Sequence, residues 1–179
     1  MHPPDDAELI AQVLAGRAER FALLVERYQD ALYRHAVGML GEPDAAADVV
    51  QDTFVKAYTH LDTCQDPRRF SAWVFRILRN RCMDHLKNLR QRNVPLDDDA
   101  VGSAEDDPAA ELERTEAGQR VERALARLPA AQREAFLLKH LHDLSYEEMA
   151  ERLDVSVSAL KMRVMRAREA LQLLLDDER

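Results

Sequence analysis

Apolar residues recur at intervals of three and four along almost the whole chain, and no sustained period-two run appears. The pattern therefore predicts helices throughout. A short first helix is expected from about Asp6 to Ala15, with Gly16 able to stop it. A second carries Phe21, Leu24, Val25, Tyr28, Leu32 and Met39 on one stripe and ends near Gly41. Pro43 and Asp44 open a third, whose expected apolar face is Ala47, Val50, Phe54, Tyr58 and Leu61. Asp62 to Pro67 reads as a loop, and a fourth helix should run from about Arg69 to Gln91.

Residues 94–110 break the pattern with Pro95, two acidic runs, Gly102 and Pro108. So few apolar groups cannot offset ordering entropy, so a flexible or extended linker is expected. Helices resume near Ala109. Val121, Leu125 and Leu128 form a stripe broken by Pro129, which can start a helix to about Leu141 bearing Phe136, Leu137 and Leu141. Ser145-Tyr146-Glu147-Glu148 is a capping box for a short helix ending near Leu153. Ser156 caps the last helix, with Leu160, Val164, Ala167 and Leu171 on its core face. The predicted fold class is all-α: two small helical domains, residues 1–93 and 112–179, joined by an acidic linker over 94–111. Each is small for independent stability, so both should lean on a partner.

Composition removes several alternatives. The chain has 179 residues and only five glycines, none clustered, which excludes a Rossmann fingerprint and a P-loop. No His-Glu-x-x-His or Gly-x-Ser-x-Gly occurs. No apolar stretch is long enough for a bilayer, and the start lacks the features of a secretory signal. Two cysteines make no disulfide framework, which fits a reducing, cytoplasmic setting. Cys82 and His85 stand three apart but lack further ligands, and no nucleophile–base pair is recognisable. No catalytic residue, metal, cofactor or small-molecule substrate is expected.

Charge changes the picture more. Net charge is −8, yet residues 1–93 and 119–179 are each neutral. The whole excess lies in residues 94–118, with nine acids and one base. Within the first part, residues 1–67 sum to −7 and residues 68–93 to +7. Such sorting points to separate acidic and basic surfaces with different partners.

Three surfaces stand out. The segment from Ser145 to about Leu174 has helix-turn-helix spacing around Asp154-Val155. On the last helix the core residues fall within about 40° of one another. Ser158, Met162, Met165 and Arg166 lie opposite, flanked by Lys161, Arg163 and Arg168. Flanking bases can neutralise phosphates while outer residues reach base edges. A solvated basic helix fits the same pattern. On the helix from Arg69, the residues Arg69, Arg76, Arg79, Asn80, Met83, Lys87 and Arg90 share about 100° of arc, with Trp73 at the edge. This stripe suits single-stranded or partly melted DNA, although Trp73 alone reads better as core. On the third helix, Asp44, Asp48, Gln51, Asp52 and Val55 face outward. The like charges at i and i+4 repel, and a basic partner would relieve them. An ordinary wet face remains the alternative.

In this order the surfaces resemble the extracytoplasmic-function (ECF) branch of the sigma-70 family, over nearly all of residues 7–175. Asp48-Val49-Val50-Gln51-Asp52-Thr53-Phe54 is close to the family's Asp-x-x-Gln-Asp/Glu-x-Phe pattern. Phe70-Ser71-Ala72-Trp73-Val74-Phe75-Arg76-Ile77 resembles its promoter-melting segment, and Leu128-Pro129, Leu144 to Ala150, and Arg166-Ala167-Arg168 match its second domain. The resemblance implies a specificity subunit of bacterial core RNA polymerase, active at a subset of stress-responsive promoters. Residues 1–93 would be sigma region 2. Its Asp48, Gln51, Asp52 and Val55 would dock on the β′ clamp helices. Arg69, Trp73, Arg76, Arg79, Asn80, Lys87 and Arg90 would bind and melt the −10 element. The loop Asp62–Pro67 and the start of the next helix would capture a flipped base. The acidic linker would thread near the RNA exit path. Region 4 would contact the β flap and read the −35 element through Ser156, Ser158, Lys161, Met162, Arg163, Met165, Arg166 and Arg168. An anti-sigma factor would be a further partner. One departure is Met162, where many members carry a small polar residue, so the −35 preference should differ. A stand-alone helix-turn-helix regulator would explain residues 145–174 but gives no purpose to the acidic face or the Trp73 helix.

Overall fold

The computed structural model describes residues 4–92 and 116–177, and within them every regular element is helical. The linker expected over 94–111 and the expected helix start near Ala109 lie outside the described residues.

Local chemistry fixes most boundaries. Helix α1 (Asp6–Leu14) starts in a reciprocal capping box between Asp5 and Glu8, a signal overlooked in the sequence. Helix α2 (Phe21–Leu40) ends on Gly41 in the left-handed region, φ 76°, where a Cβ would be strained. Pro43 opens α3 (Pro43–Thr59) at a position needing no N–H donor. The stretch expected to be loop holds two 3-10 turns, Leu61–Thr63 and Pro67–Arg69. Pro67 fixes the backbone of the second, and the Asp66 carboxylate accepts from the Arg68 N–H at 3.1 Å. Helix α4 (Phe70–Arg92) therefore starts one residue later than expected.

The second unit comprises α5 (Glu116–Ala126), α6 (Ala130–His140), α7 (Tyr146–Leu153) and α8 (Val157–Asp177). The expected capping box at Ser145 and Glu148 forms in both directions. Ala135, Leu138, Met149, Leu153, Leu160 and Val164 make the small core of the helix-turn-helix.

Some facing predictions need correction. On α3 the buried positions are Ala46, Val49, Val50, Thr53, Phe54 and Ala57, while Ala47 and Tyr58 are exposed. The Thr53 hydroxyl satisfies itself on the Val49 carbonyl at 2.7 Å, so a polar residue can occupy that core. Val121 and Leu141, expected inside, are also exposed.

The two units do not stand apart. Leu9, Leu24, Leu32, Phe54, Phe70 and Leu78 of the first share one continuous hydrophobic cluster with Leu125, Leu128, Leu137, Ala167 and Leu171 of the second. Each small core thus gains from the other the apolar cover it lacks alone. The contact is close: Gly38 on α2 leaves no room for a Cβ, which would lie 2.8 Å from the Leu137 side chain on α6. Buried Arg133 reinforces it by donating to carbonyls at two helix ends, that of Met39 on α2 and those of Ala126, the last residue of α5, and Leu128 just beyond it. These are carbonyls a helix terminus leaves without partners. Burial first, and Arg90 second, lower the Arg133 pKa to about 10, so it stays charged at neutral pH.

Candidate functional site

The acidic face on α3 is as predicted. Asp48, Gln51 and Asp52 are exposed, and Val55 beside them is 58% exposed. Val49, Val50, Thr53 and Phe54 hold the opposite side in the core, so the helix cannot rotate to hide the acids. The face combines two charges with an apolar side chain in water, a composition suited to a basic partner.

The predicted stripe on α4 is split by its surroundings. Arg76, Asn80, Lys87 and Arg90 are exposed. Trp73 is half-buried, packed against the core and tilted on Phe70 with ring centroids 5.7 Å apart. Arg79 and Arg69 are engaged by the second unit. The Arg79 Nε lies 2.8 and 3.1 Å from the two carboxylate oxygens of Glu134 on α6. Arg69 pairs with Glu151 on α7. Glu134 is 1% exposed; burial raises its pKa, and Arg79 opposes that rise. A buried carboxylate is tolerable only with such a partner.

Helix α8 presents most of its predicted outer face. Ser156, Ser158, Lys161, Arg166 and Arg168 are exposed, and Met162 and Met165 are each 43% exposed. Arg163 is half-buried and turned toward Glu134, whose charge it helps to balance. The Ser156 hydroxyl accepts from the Ala159 N–H at 3.3 Å, leaving Ser158 at the first exposed turn. Asp154 takes the left-handed conformation, φ 54°, and so makes the tight turn between α7 and α8.

The sequence reading missed the seam between the units. His35, Phe75, Arg133, Glu134, His142 and Arg152 meet there. Glu134 carried a legible signal, since it stands three and four residues before Leu137 and Leu138 and so shares their buried side. His142 lies beyond the end of α6 and reaches His35 on α2. Among the described residues, no group of three or more His, Cys, Asp or Glu side chains could hold a metal. Cys64 and Cys82 are both free and buried.

Two family models match the chain, sigma-70 region 2 over residues 24–92 and sigma-70 region 4 over residues 118–171. The chain belongs to the sigma-70 family. Among curated relatives, it is 30% identical to the ECF RNA polymerase sigma factor SigW of Bacillus subtilis, over 94% of this chain and 95% of that protein. It is 32% identical to the ECF RNA polymerase sigma-E factor of Escherichia coli K12, over 93% and 92%. Among solved structures, CnrH in complex with the cytosolic domain of CnrY matches with a TM-score of 0.73 and 34% identity, covering 97% of this chain and 99% of CnrH. The sigma factor RpoE of Bartonella quintana, solved with the anti-sigma factor NepR, matches with a TM-score of 0.68 and 30% identity, covering 89% and 98%. Within its family the chain is an ECF sigma factor, a promoter-recognition subunit and not an enzyme. No described helix is long and apolar enough to cross a membrane.

Proposed function

We propose that the three surfaces divide the work of this sigma factor between two domains, residues 1–93 and 112–179. The α3 face of Asp48, Gln51, Asp52 and Val55 docks on the β′ clamp helices of core polymerase. Arg69, Trp73, Arg76, Arg79, Asn80, Lys87 and Arg90 hold and open the −10 element, with the segment Asp62–Pro67 and the start of α4 receiving a flipped base. Basic side chains attract the phosphate backbone, and the exposed part of the Trp73 ring offers a stacking surface. The second domain contacts the β flap. There Ser156, Ser158, Lys161, Met162, Arg163, Met165, Arg166 and Arg168 read the −35 element in the major groove. The acidic linker over 94–111 occupies a path otherwise open to nucleic acid, which reconciles a net charge of −8 with DNA binding. The factor works in the cytoplasm, and an anti-sigma protein binds it, as NepR binds the RpoE neighbour.

The observation that carries this reading is the exposed acidic face on α3, which contributes nothing to the core. Asp48→Arg with Asp52→Arg should abolish co-purification with core polymerase while far-UV circular dichroism stays unchanged. Undiminished binding by the folded variant would remove the assignment of that face.

A further inference from the structure

His35 and His142 come from different units, 107 residues apart, and their rings meet at 3.2 Å from Nδ1 to Nε2. His35 is 2% exposed. At that separation one ring donates and the other accepts, so the accepting ring must be neutral. Phe75 on α4 stands edge-on to both, with centroids 5.8 Å from His35 and 5.3 Å from His142. The Arg152 guanidinium of α7 sits 4.9 Å from the Phe75 ring centre and reaches Ser71 Oγ at 3.4 Å. Four side chains from α2, α4, α7 and the segment after α6 thus close one junction.

The charges around the pair are unfavourable to a third. Arg34 on α2 and Arg152 on α7 both act on His142, and Arg152 also acts on His35. Arg76 and Arg79 of α4 and Glu134 of α6 line the cavity beside His35, but Glu134 is committed to Arg79. Tyr28 of α2 acts on Arg152, not on the imidazoles. Asp143 follows His142 and is exposed, with left-handed backbone.

We propose that His35 and His142 form a proton-released latch that holds the two domains closed at neutral pH and lets them part on acidification. The closed arrangement occupies Arg69 and Arg79, so opening also returns both to the −10 stripe; that consequence, unlike the latch, rests on the roles proposed for α4. In the closed chain, burial first and then His142 and Arg152 push His35 down to about 3. Burial first and then Arg152 and Arg34 push His142 down to about 4. Freed into water, each ring returns to about 6.5. A base with a depressed closed-state value stabilises closure above its open-state value and loses that stabilisation as pH falls. Between pH 7.5 and 5.5 the closed-to-open ratio should fall about tenfold per ring, about a hundredfold for the pair.

The test is small-angle scattering of the full chain from pH 7.5 to 5.0, with far-UV circular dichroism alongside. Expansion with retained helicity is expected for the native chain, and a compact, unresponsive chain for His35→Gln/His142→Gln, where amides keep the hydrogen bond without titrating. A native chain still compact at pH 5.0, or a double variant that expands equally, would overturn the latch. If the double variant is expanded throughout, His142→Gln alone decides: a response reduced to about tenfold supports the latch and an unchanged one refutes it. Core-polymerase binding is not read in this experiment, so failure of the latch and failure of the surface assignments remain distinguishable.

Discussion

Gly38 and Leu137 test whether the domains share one core. Gly38 lies inside α2, where replacement by alanine should gain about 0.5–1 kcal/mol of helix stability. Its added Cβ would stand 2.8 Å from both Leu137 methyl carbons, overpacking that costs about 1–3 kcal/mol. The clash involves the far end of a side chain that can rotate, so a net destabilisation of about 1 kcal/mol is expected for Gly38→Ala. Leu137 is buried, and Leu137→Ala should cost about 3 kcal/mol as a cavity between α2 and α6. In the double variant the clash disappears, the helix gain remains and the new methyl fills part of the cavity. Its cost should be about 1–2 kcal/mol, short of the sum of the single costs by about 2–3 kcal/mol. Urea unfolding of the four full-length chains gives the cycle. Additivity to within about 0.5 kcal/mol would mean that Gly38 and Leu137 do not touch, and would refute the closed arrangement.

Two further outcomes are expected. Arg166→Ala should alter which −35 sequences the holoenzyme prefers, at about 1–3 kcal/mol for the base concerned, whereas Lys161→Ala should weaken all promoters alike and reduce the salt slope by about one; an unchanged promoter ranking for Arg166→Ala would exclude it from base reading. Burial pushes the Cys82 thiol up to about 12, with Glu134 adding to the rise, and burial also raises Cys64. Neither should react with a disulfide reagent at pH 8 until the chain is unfolded, and prompt labelling of the native protein would contradict their burial.

The sequence alone carried the helices, because their signals are local. Gly41, Pro43, Pro129 and the Ser145–Glu148 box act within a turn of the residues they organise. It also carried the outward faces of α3 and α8, since a 3.6-residue period with one side buried leaves no freedom for the other. Periodicity was less reliable at the margins. Val121 and Leu141 look like core by their spacing, but no described neighbour buries them. Only the tertiary structure decided how the two domains meet. Arg79 and Glu134 are separated by 55 residues, and His35 and His142 by 107. Arg79, His35 and His142 each read alone as solvated polar side chains, and the spacing of Glu134 signals a buried side without naming its partner. Their meeting follows from the shape that admits Leu137 against Gly38 and the end of α2 against Arg133. Fit between distant surfaces depends on all the intervening chain at once, and no local pattern encodes it.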